Sequence, residues 1–598
     1  MKVMPDSTAD PTPTEAATGT PQTPPEAATG TLQTLPAGPM PWLAHYPEGV
    51  DWHAPIPTAP LDRLLSEAAE RFGPRPAFSF FGRRTSWAAA DAAASRVAAG
   101  LQAMGLRPGD RVGLLLPNCP AYPVLFFGAL RAGLVVVNFN PLYTEREIEV
   151  QARDAGLSAL ATLDLAALYP KARAALEAGV VGRVIVCPFA PMLPPGKGAL
   201  FRLLKRAEVA AWPRDERHVD LPALLATRTP PRPVESDPAR DVAVLQYTGG
   251  TTGVPKGAML THANLYANTV QGVRWFKDTR PGEERVLAIL PFFHVFGMTS
   301  AFLFSVHAGA ELVMMPRFEL PAAIALIERT RPTVMPGVPT LFNAVAGWQG
   351  KADLSSIRFC ISGGAPLPPE VKARFEARTG CVVVEGYGLT EASPCVCCNP
   401  PGGLNKTGSI GPPLPGTRVE LRDPADPARR TPPGERGELC VAGPQVMAGY
   451  WKREAETRAA FTPDGMLRTA DIATMDDQGY VYIVDRIKDL ILVSGYNVYP
   501  RVVEDAIYHH EAVAECTVIG VPDEYQGEAV KAFVALHPGH DLSADDLVRF
   551  LRSHLSPVEM PRHIEFRASL PRTLVGKLSK KELVEEERAK RRGGGPTA

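Results

Sequence analysis

Tyr247-Thr-Gly-Gly-Thr-Thr-Gly-Val-Pro-Lys-Gly257, directly after the apolar run Val242-Ala-Val-Leu245, reads as a strand that runs into a mobile loop. Glycines let backbone N–H groups approach an anion closely, and hydroxyls and a lysine add donors and charge. Thr248, Gly249, Gly250, Thr251, Thr252, Gly253 and Lys256 therefore suit a polyphosphate. The competing reading is a glycine-rich turn with no ligand, but a loop dense in Gly and Thr and free of Asp and Asn makes a poor ordinary turn. A Walker loop is the other rival, and it fails on spelling. That motif needs Gly-Lys-Ser/Thr opening a helix, whereas Lys256 follows Pro255 and precedes Gly257.

Working outward, apolar strand-like runs alternate with helical ones from about 60 to 480. Arg111–Leu116 precedes helical Ala121–Arg131 and the run Leu134–Asn138, and Leu312–Met315 leads into Leu320–Thr330. Ile357–Ile361 leads to Pro368–Thr379, closed by Gly380, and then to Cys381–Glu385. Such alternation predicts an α/β body of βαβ units with mostly parallel sheets, whose ligands sit in crevices at the carboxyl ends of strands. Glycine-rich turns fall at that end three times: 249–257, Ser362–Ala365 and Gly386–Gly388. After about 410 short strands with tight turns take over, and beyond Arg486 a compact α+β segment begins. Its predicted order is helix 501–509, strands 515–520 and 530–536, helix 543–555, strand 564–567 and a solvated helical tail, enough for an independent small domain.

Composition excludes several classes. Lys plus Arg (63) nearly equals Asp plus Glu (64) across 598 residues, so no global field points to nucleic acid. Nine cysteines without a paired framework favour a reducing, cytoplasmic setting, and Cys395, Cys397 and Cys398 read as small buried apolar residues. Residues 1–40, with a repeated Glu-Ala-Ala-Thr-Gly-Thr and abundant Pro and Thr, read as a disordered tail. Val286–Val306 is uncharged for long enough to resemble a membrane span, yet Pro291, His294 and Gly297 interrupt it. It reads better as strand 286–290, a loop and a buried helix. In 198–207 apolar and basic residues interleave at helical spacing, with Trp212 beyond. That pattern fits peripheral contact with anionic lipid, against the slightly favoured reading of a solvated surface helix.

Four further motifs carry candidate chemistry. In Glu385-Gly-Tyr-Gly-Leu-Thr-Glu391, Tyr387 could stack on adenine and Thr390 could bond a phosphate oxygen. Glu391 could hold Mg²⁺, a hard cation that prefers carboxylate and phosphate oxygens. Leu467-Arg-Thr-Ala-Asp471 ends a strand with a carboxylate suited to a ribose diol. Asp485–Pro500 packs charges at the suspected domain boundary, and Leu570-Pro-Arg-Thr-Leu-Val-Gly-Lys577 sets a lysine after a glycine.

These motifs, in this order and spacing, resemble the adenylate-forming acyl-CoA synthetase superfamily, and within it the bacterial long-chain fatty acid–CoA ligases. The resemblance covers about 40–585, and Val136–Thr144 and Gly443–Trp451 look like that branch. It implies a large N-terminal domain of parallel-sheet subdomains plus a distorted barrel (41–485) and a mobile C-terminal domain (486–598). It implies ATP, a fatty acid and coenzyme A as substrates, Mg²⁺ as cofactor, and a homodimer as an admissible assembly. By the same resemblance Lys577 bridges the carboxylate and α-phosphate, Thr248 and Glu391 are magnesium-associated, and Asp471 and Arg486 contact ribose. Gly363, Gly364, Ala365 and Tyr387 match the adenine pocket, with Glu385, Gly386, Gly388 and Thr390 in the same ATP site. Lys488 matches the hinge, and Ser494, Gly495 and Tyr496 face the CoA channel after rotation. His294, in Pro291–Gly297, matches the acyl-pocket segment, with a core histidine satisfied by backbone as an equal competitor. One departure is Ala470, where the family usually has Gly before the ribose-binding Asp. An aryl or medium-chain acyl-CoA ligase and a catalytically silent lipid-binding protein are the rival functions.

Overall fold

The computed structural model describes residues 40–248, 255–494, 496–523, 525–572 and 578–593. The expected tail therefore lies, but for Met40, outside the described residues. Two parallel sheets form the N-terminal body. One has seven strands in the order His218–Asp220, Arg183–Cys187, Leu157–Leu163, Arg111–Leu115, Val135–Asn138, Val242–Thr248, Lys256–Thr261, parallel except for its last pair. The other has eight strands and runs from Cys395–Cys398 through Val382–Gly388, Phe359–Gly363, Val334–Gly337, Arg285–Ala288 and Glu311–Met314 to the hairpin Pro76–Phe80/Arg83–Ser86. Antiparallel pairs occur only at its two edges.

Helix Ala121–Arg131 is apolar nearly all round, so it is buried on every face. The alanine-rich Trp87–Ala103 packs on it closely enough that a Cβ at Gly128 would sit 2.5 Å from Val97 Cγ1. Both ranges of the expected helices Ala121–Arg131 and Leu320–Thr330 are found. The uncharged 286–306 stretch is a strand, Arg285–Ala288, then a loop and the buried helical turns Val295–Gly297, Met298–Leu303 and Phe304–Ala308. Among the described residues no helix is long and apolar enough to cross a membrane.

The region expected as a distorted barrel is a four-stranded antiparallel sheet, Arg418–Arg422, Gly437–Ala442, Leu467–Met475 and Val481–Arg486. The 3-10 turn Ile487–Asp489 then leads into the C-terminal domain. Its sheet pairs Tyr496–Val498 with Ile491–Val493, then Gly527–Leu536 and Val513–Asp523, with His563–Phe566 parallel to Gly527–Leu536. The long strand pair 513–536 exceeds the expected strands, because the pairing continues as far as Asp523 and Gly527. Helix Ala544–Leu551 stops short of 555, and the strand pair 491–498 was hidden in a segment whose charges suggested only a hinge. This domain has its own core around Ile491, Val503, Val518, Ala532 and Leu547, with a second cluster at Phe533, Leu570 and Leu583.

Two expectations about local structure are corrected. Gly386–Gly388 lie inside the strand Val382–Gly388 rather than in a turn after it, since Cys395–Cys398 pairs along them. A Cβ at Gly388 would come 2.1 Å from Pro394 O, so close approach of that edge strand requires the glycine. Asp471 likewise sits within Leu467–Met475, not at a strand end.

Candidate active site

A cleft of about 760 Å³ opens where the two parallel sheets, the antiparallel sheet and the 487–489 turn meet. Thr248, Lys256, His294, Gly363, Gly364, Gly386, Tyr387, Gly388, Thr390, Glu391, Asp471, Arg486 and Lys488 all line it. Residues far apart in sequence thus share one wall. Gly249, Gly250, Thr251, Thr252, Gly253, Gly495 and Lys577 lie outside the described residues.

Asp471 is the best-anchored charge in the cleft. It is 4% exposed, pairs across the sheet with Arg486, and accepts from Arg486 Nε at 3.1 Å and from Tyr387 Oη at 2.5 Å. Burial, then the Asp471 carboxylate, pushes the Tyr387 phenol well above its ordinary range, so it remains a donor. The carboxylate is aimed by a bulge: Leu439 stands opposite the three residues Thr469, Ala470 and Asp471, and Ala470 adopts φ +58°. A left-handed backbone costs an alanine on the order of 1–2 kcal/mol, which is the physical reason a glycine suits this position. The bulge is pinned by Ala470 N donating to Glu438 Oε1 at 3.0 Å and Thr469 Oγ1 donating to Leu439 O at 2.8 Å.

A second chain of contacts crosses the cleft. Lys256 Nζ sits 4.5 Å over the Tyr450 ring, and Tyr450 Oη donates to Glu391 Oε1 at 2.7 Å. Burial and then Glu391 raise the Tyr450 phenol, leaving it protonated. Strand Val242–Thr248 is clamped at its exit: Tyr247 Oη donates to Asp154 Oδ2 at 2.6 Å, and Arg453 holds the same carboxylate at 2.7 Å. Among the described residues Thr248 Oγ1 reaches Lys256 O, at 3.4 Å.

Other expected positions differ. Glu385 does not line the cleft. Its buried carboxylate accepts from Gly408 N at 3.0 Å and Leu367 N at 3.4 Å, fastening two loops, and burial raises its pKa. Ala365 is half-buried beside the cleft and is not part of its lining. His294 lines the cleft, while its Nδ1 accepts from Phe296 N at 3.2 Å and caps the helical turn. Lys488 faces the cleft, and burial, then Arg486, lowers its ammonium pKa. Ser494 (φ +50°) and the exposed Tyr496 lie away from it. Cys397 and Cys398 are buried with thiols pushed up by burial, and no metal-holding group of His, Cys, Asp or Glu occurs among the described residues.

Sequence reasoning missed a buried polar lattice under the wall that carries Phe293 and His294. Gln246 Nε2 donates to Phe293 O at 2.8 Å, and Asn138 Nδ2 donates to Gln246 Oε1 at 2.9 Å. Tyr122 Oη contacts Asn138 Oδ1 (2.8 Å) and Phe292 O (2.9 Å), while Phe292 N donates to Asn118 Oδ1 at 2.8 Å. The available signal was a lone amide in each apolar run, since a buried amide needs partners. Beyond this wall lies an apolar recess of about 30 Å³, sharing Ser300, Ile361 and Cys395 with the cleft. Trp275, Phe304 and Phe359 enclose it, and a Cβ at Gly272 would meet only Phe304 Cδ2, at 4.0 Å.

Residues 65–451 match the family model described as AMP-binding enzyme, and 502–577 the one described as AMP-binding enzyme C-terminal domain. A long-chain-fatty-acid–CoA ligase of Bacillus subtilis (strain 168) is 43% identical over 92% of this chain and 98% of its own. A feruloyl-CoA synthase of an Amycolatopsis species is 37% identical over 82% and 91%. The crystal structure of ATP-bound MatB from Rhodopseudomonas palustris superposes with a TM-score of 0.76 at 29% identity, covering 88% of this chain and 98% of that one. With one model matched over more than half of the chain, including the cleft residues from Asn138 to Tyr450, and its C-terminal companion matched beyond, the chain belongs to the AMP-binding enzyme family.

Proposed function

We propose that the protein couples ATP cleavage to thioester formation on a long-chain fatty acid, releasing AMP and pyrophosphate. The observation that carries this reading is the Asp471–Tyr387–Arg486 platform, suited to a nucleoside, in a cleft that shares Ser300, Ile361 and Cys395 with a small uncharged aromatic recess. Relatives named as long-chain ligases over nearly their whole length, and an ATP-bound structural neighbour, support it.

In the first half-reaction a carboxylate oxygen attacks the α-phosphorus, an acyl-phosphate bond forms, and pyrophosphate leaves. Both reactants are anions, so the site must neutralise charge and align them. Asp471 accepts the ribose diol, Tyr387 offers its ring face to adenine, and Lys577 supplies the cation between carboxylate and phosphate. Lys256 and Thr390 line the phosphate side. In the second half-reaction a CoA thiolate attacks the acyl carbon and AMP leaves with the bonding pair. Rotation about Lys488 would withdraw Lys577 and bring Ser494–Tyr499 to the thiol. The setting we infer is cytoplasmic, and a homodimer is compatible with the reading.

Magnesium fits the residues present. Glu391 offers a carboxylate with one oxygen engaged by Tyr450, and Thr248 a hydroxyl in the same cleft, oxygen donors that suit an ion that keeps waters and takes most ligands from phosphates. When bound, Mg²⁺ neutralises phosphate charge. Glu391→Gln keeps the shape and removes the charge, so activity should fall and recover only at raised Mg²⁺. A magnesium titration of pyrophosphate release reads this, and an unshifted midpoint would assign Glu391 to structure alone. An aryl acid is the second reading, favoured by the feruloyl-CoA synthase relative and the aromatic recess. An amino acid is disfavoured, because no carboxylate lines the recess to meet an ammonium.

A further inference from the structure

Helix Pro195–Leu204 is amphipathic in the wrong sense for a domain surface. Gly198 faces the body, where a Cβ would come 2.5 Å from Ala190 O. Leu200, Leu203 and Leu204, spaced to share the opposite stripe, are 53%, 76% and 68% exposed. Beside the helix projects the hairpin Pro76–Phe80/Arg83–Ser86, whose tip places Phe81 at φ +51° and 44% exposed. A two-residue tip of this hand ordinarily takes Asn or Asp before Gly, and a bulky aromatic there is a genuine outlier.

Hairpin and helix form one rigid surface. Phe80 packs on Phe189 at 6.1 Å between ring centroids, and Phe189 on Phe201 at 5.0 Å. Lys197 Nζ donates to Phe81 O at 3.1 Å, and Arg83 donates to Pro191 O. Around the exposed apolar side chains stand Arg83, Arg84, Lys197, Arg202, Lys205 and Arg206, all exposed. Arg84 is spent on Glu311 and Lys205 on Glu208, while Arg83 and Lys197 bond only backbone carbonyls and keep their charge outward. Trp212, by contrast, packs inward with Arg214 3.6 Å over its ring and does not extend this face.

We propose that the Phe81 tip and the Leu200–Leu203–Leu204 stripe insert into the interface of an anionic lipid bilayer, with the basic ring facing its headgroups. Apolar wedges ringed by arginine and lysine match that partner in both chemistry and charge. A protein partner or a second copy would bring an apolar patch but has no comparable need for the cationic rim.

The test is co-sedimentation of the full chain with vesicles of phosphatidylcholine alone or mixed with phosphatidylglycerol. Binding should require the anionic lipid and weaken as salt rises. Leu203→Glu with Leu204→Glu should lower the vesicle partition coefficient about tenfold or more, and Phe81→Ser several-fold. Leu404→Glu, at a 52% exposed leucine elsewhere, should leave it unchanged. Unaltered melting temperatures show that the variants fold, and Leu203→Ser with Leu204→Ser replaces the double variant if it does not. Equal binding by wild type and double variant overturns the proposal. So does a double variant that changes only the sedimentation-equilibrium mass, which would make the face a self-interface.

Discussion

Lys577→Ala should lower acyl-AMP formation from ATP by roughly 10²–10³, the loss expected for one preorganised donor at a developing charge. Thioester formation from supplied acyl-AMP should change far less, because the lysine is needed only while carboxylate and α-phosphate are brought together. The cleft explains the dependence. Of its described cations Arg486 bonds Asp471 and Arg468 bonds Glu438, Lys256 lies on the phosphate side over Tyr450, and Lys488 stands at the hinge turn. None replaces a charge delivered from the C-terminal domain. Single-turnover assays of the two halves separate the outcomes, and equal losses in both would contradict the role given to Lys577.

Asp471→Asn should raise the KM for ATP roughly 10- to 100-fold, the range for losing a charged hydrogen-bonding partner. The turnover at saturating ATP should fall much less, since a ribose contact is made equally in ground and transition states. The substitution keeps the bulge at Ala470 and the shape of the side chain, so the measurement reads charge rather than collapse. An unchanged KM with a lowered melting temperature would reduce Asp471 to a brace between Tyr387 and Arg486.

Much of this was legible in the sequence because periodicity reports local structure and motifs report chemistry. Ala121–Arg131 and Leu320–Thr330 could be read to the residue, being bounded by turns and apolar at helical spacing. Thr248, Tyr387, Glu391, Asp471 and Arg486 could be named as one site through their motifs. What sequence could not show was pairing. Nothing in Gly386–Gly388 announces that Cys395–Cys398 will extend the strand through it, and nothing in Glu385 says that it turns inward to two amides. The Asn118–Tyr122–Asn138–Gln246 lattice was equally hidden, because its members come from a loop, a helix and two strands. Ala470 was visible as a departure, but only its φ of +58° shows the strain that aims Asp471. In Pro195–Leu204 the sequence leaves the inward face open, and only the contact of Gly198 with Ala190 O shows that the leucines point outward.

The most direct test of the central claim is acyl-CoA and pyrophosphate formation measured on carboxylates from acetate to oleate, for the wild type and Gly272→Leu. Each CH₂ buried contributes about 0.8 kcal/mol, so kcat/KM should climb roughly fourfold per added carbon until the recess ends. The recess as it stands has room for about two water-sized groups, so a long chain must widen it; a leucine at 272, beside Phe304, should oppose that and stop the climb at shorter chains, sparing the shortest acids. A flat profile, a better rate with cinnamate-type acids, or a length limit indifferent to Gly272→Leu would contradict a long-chain acyl site in this cleft.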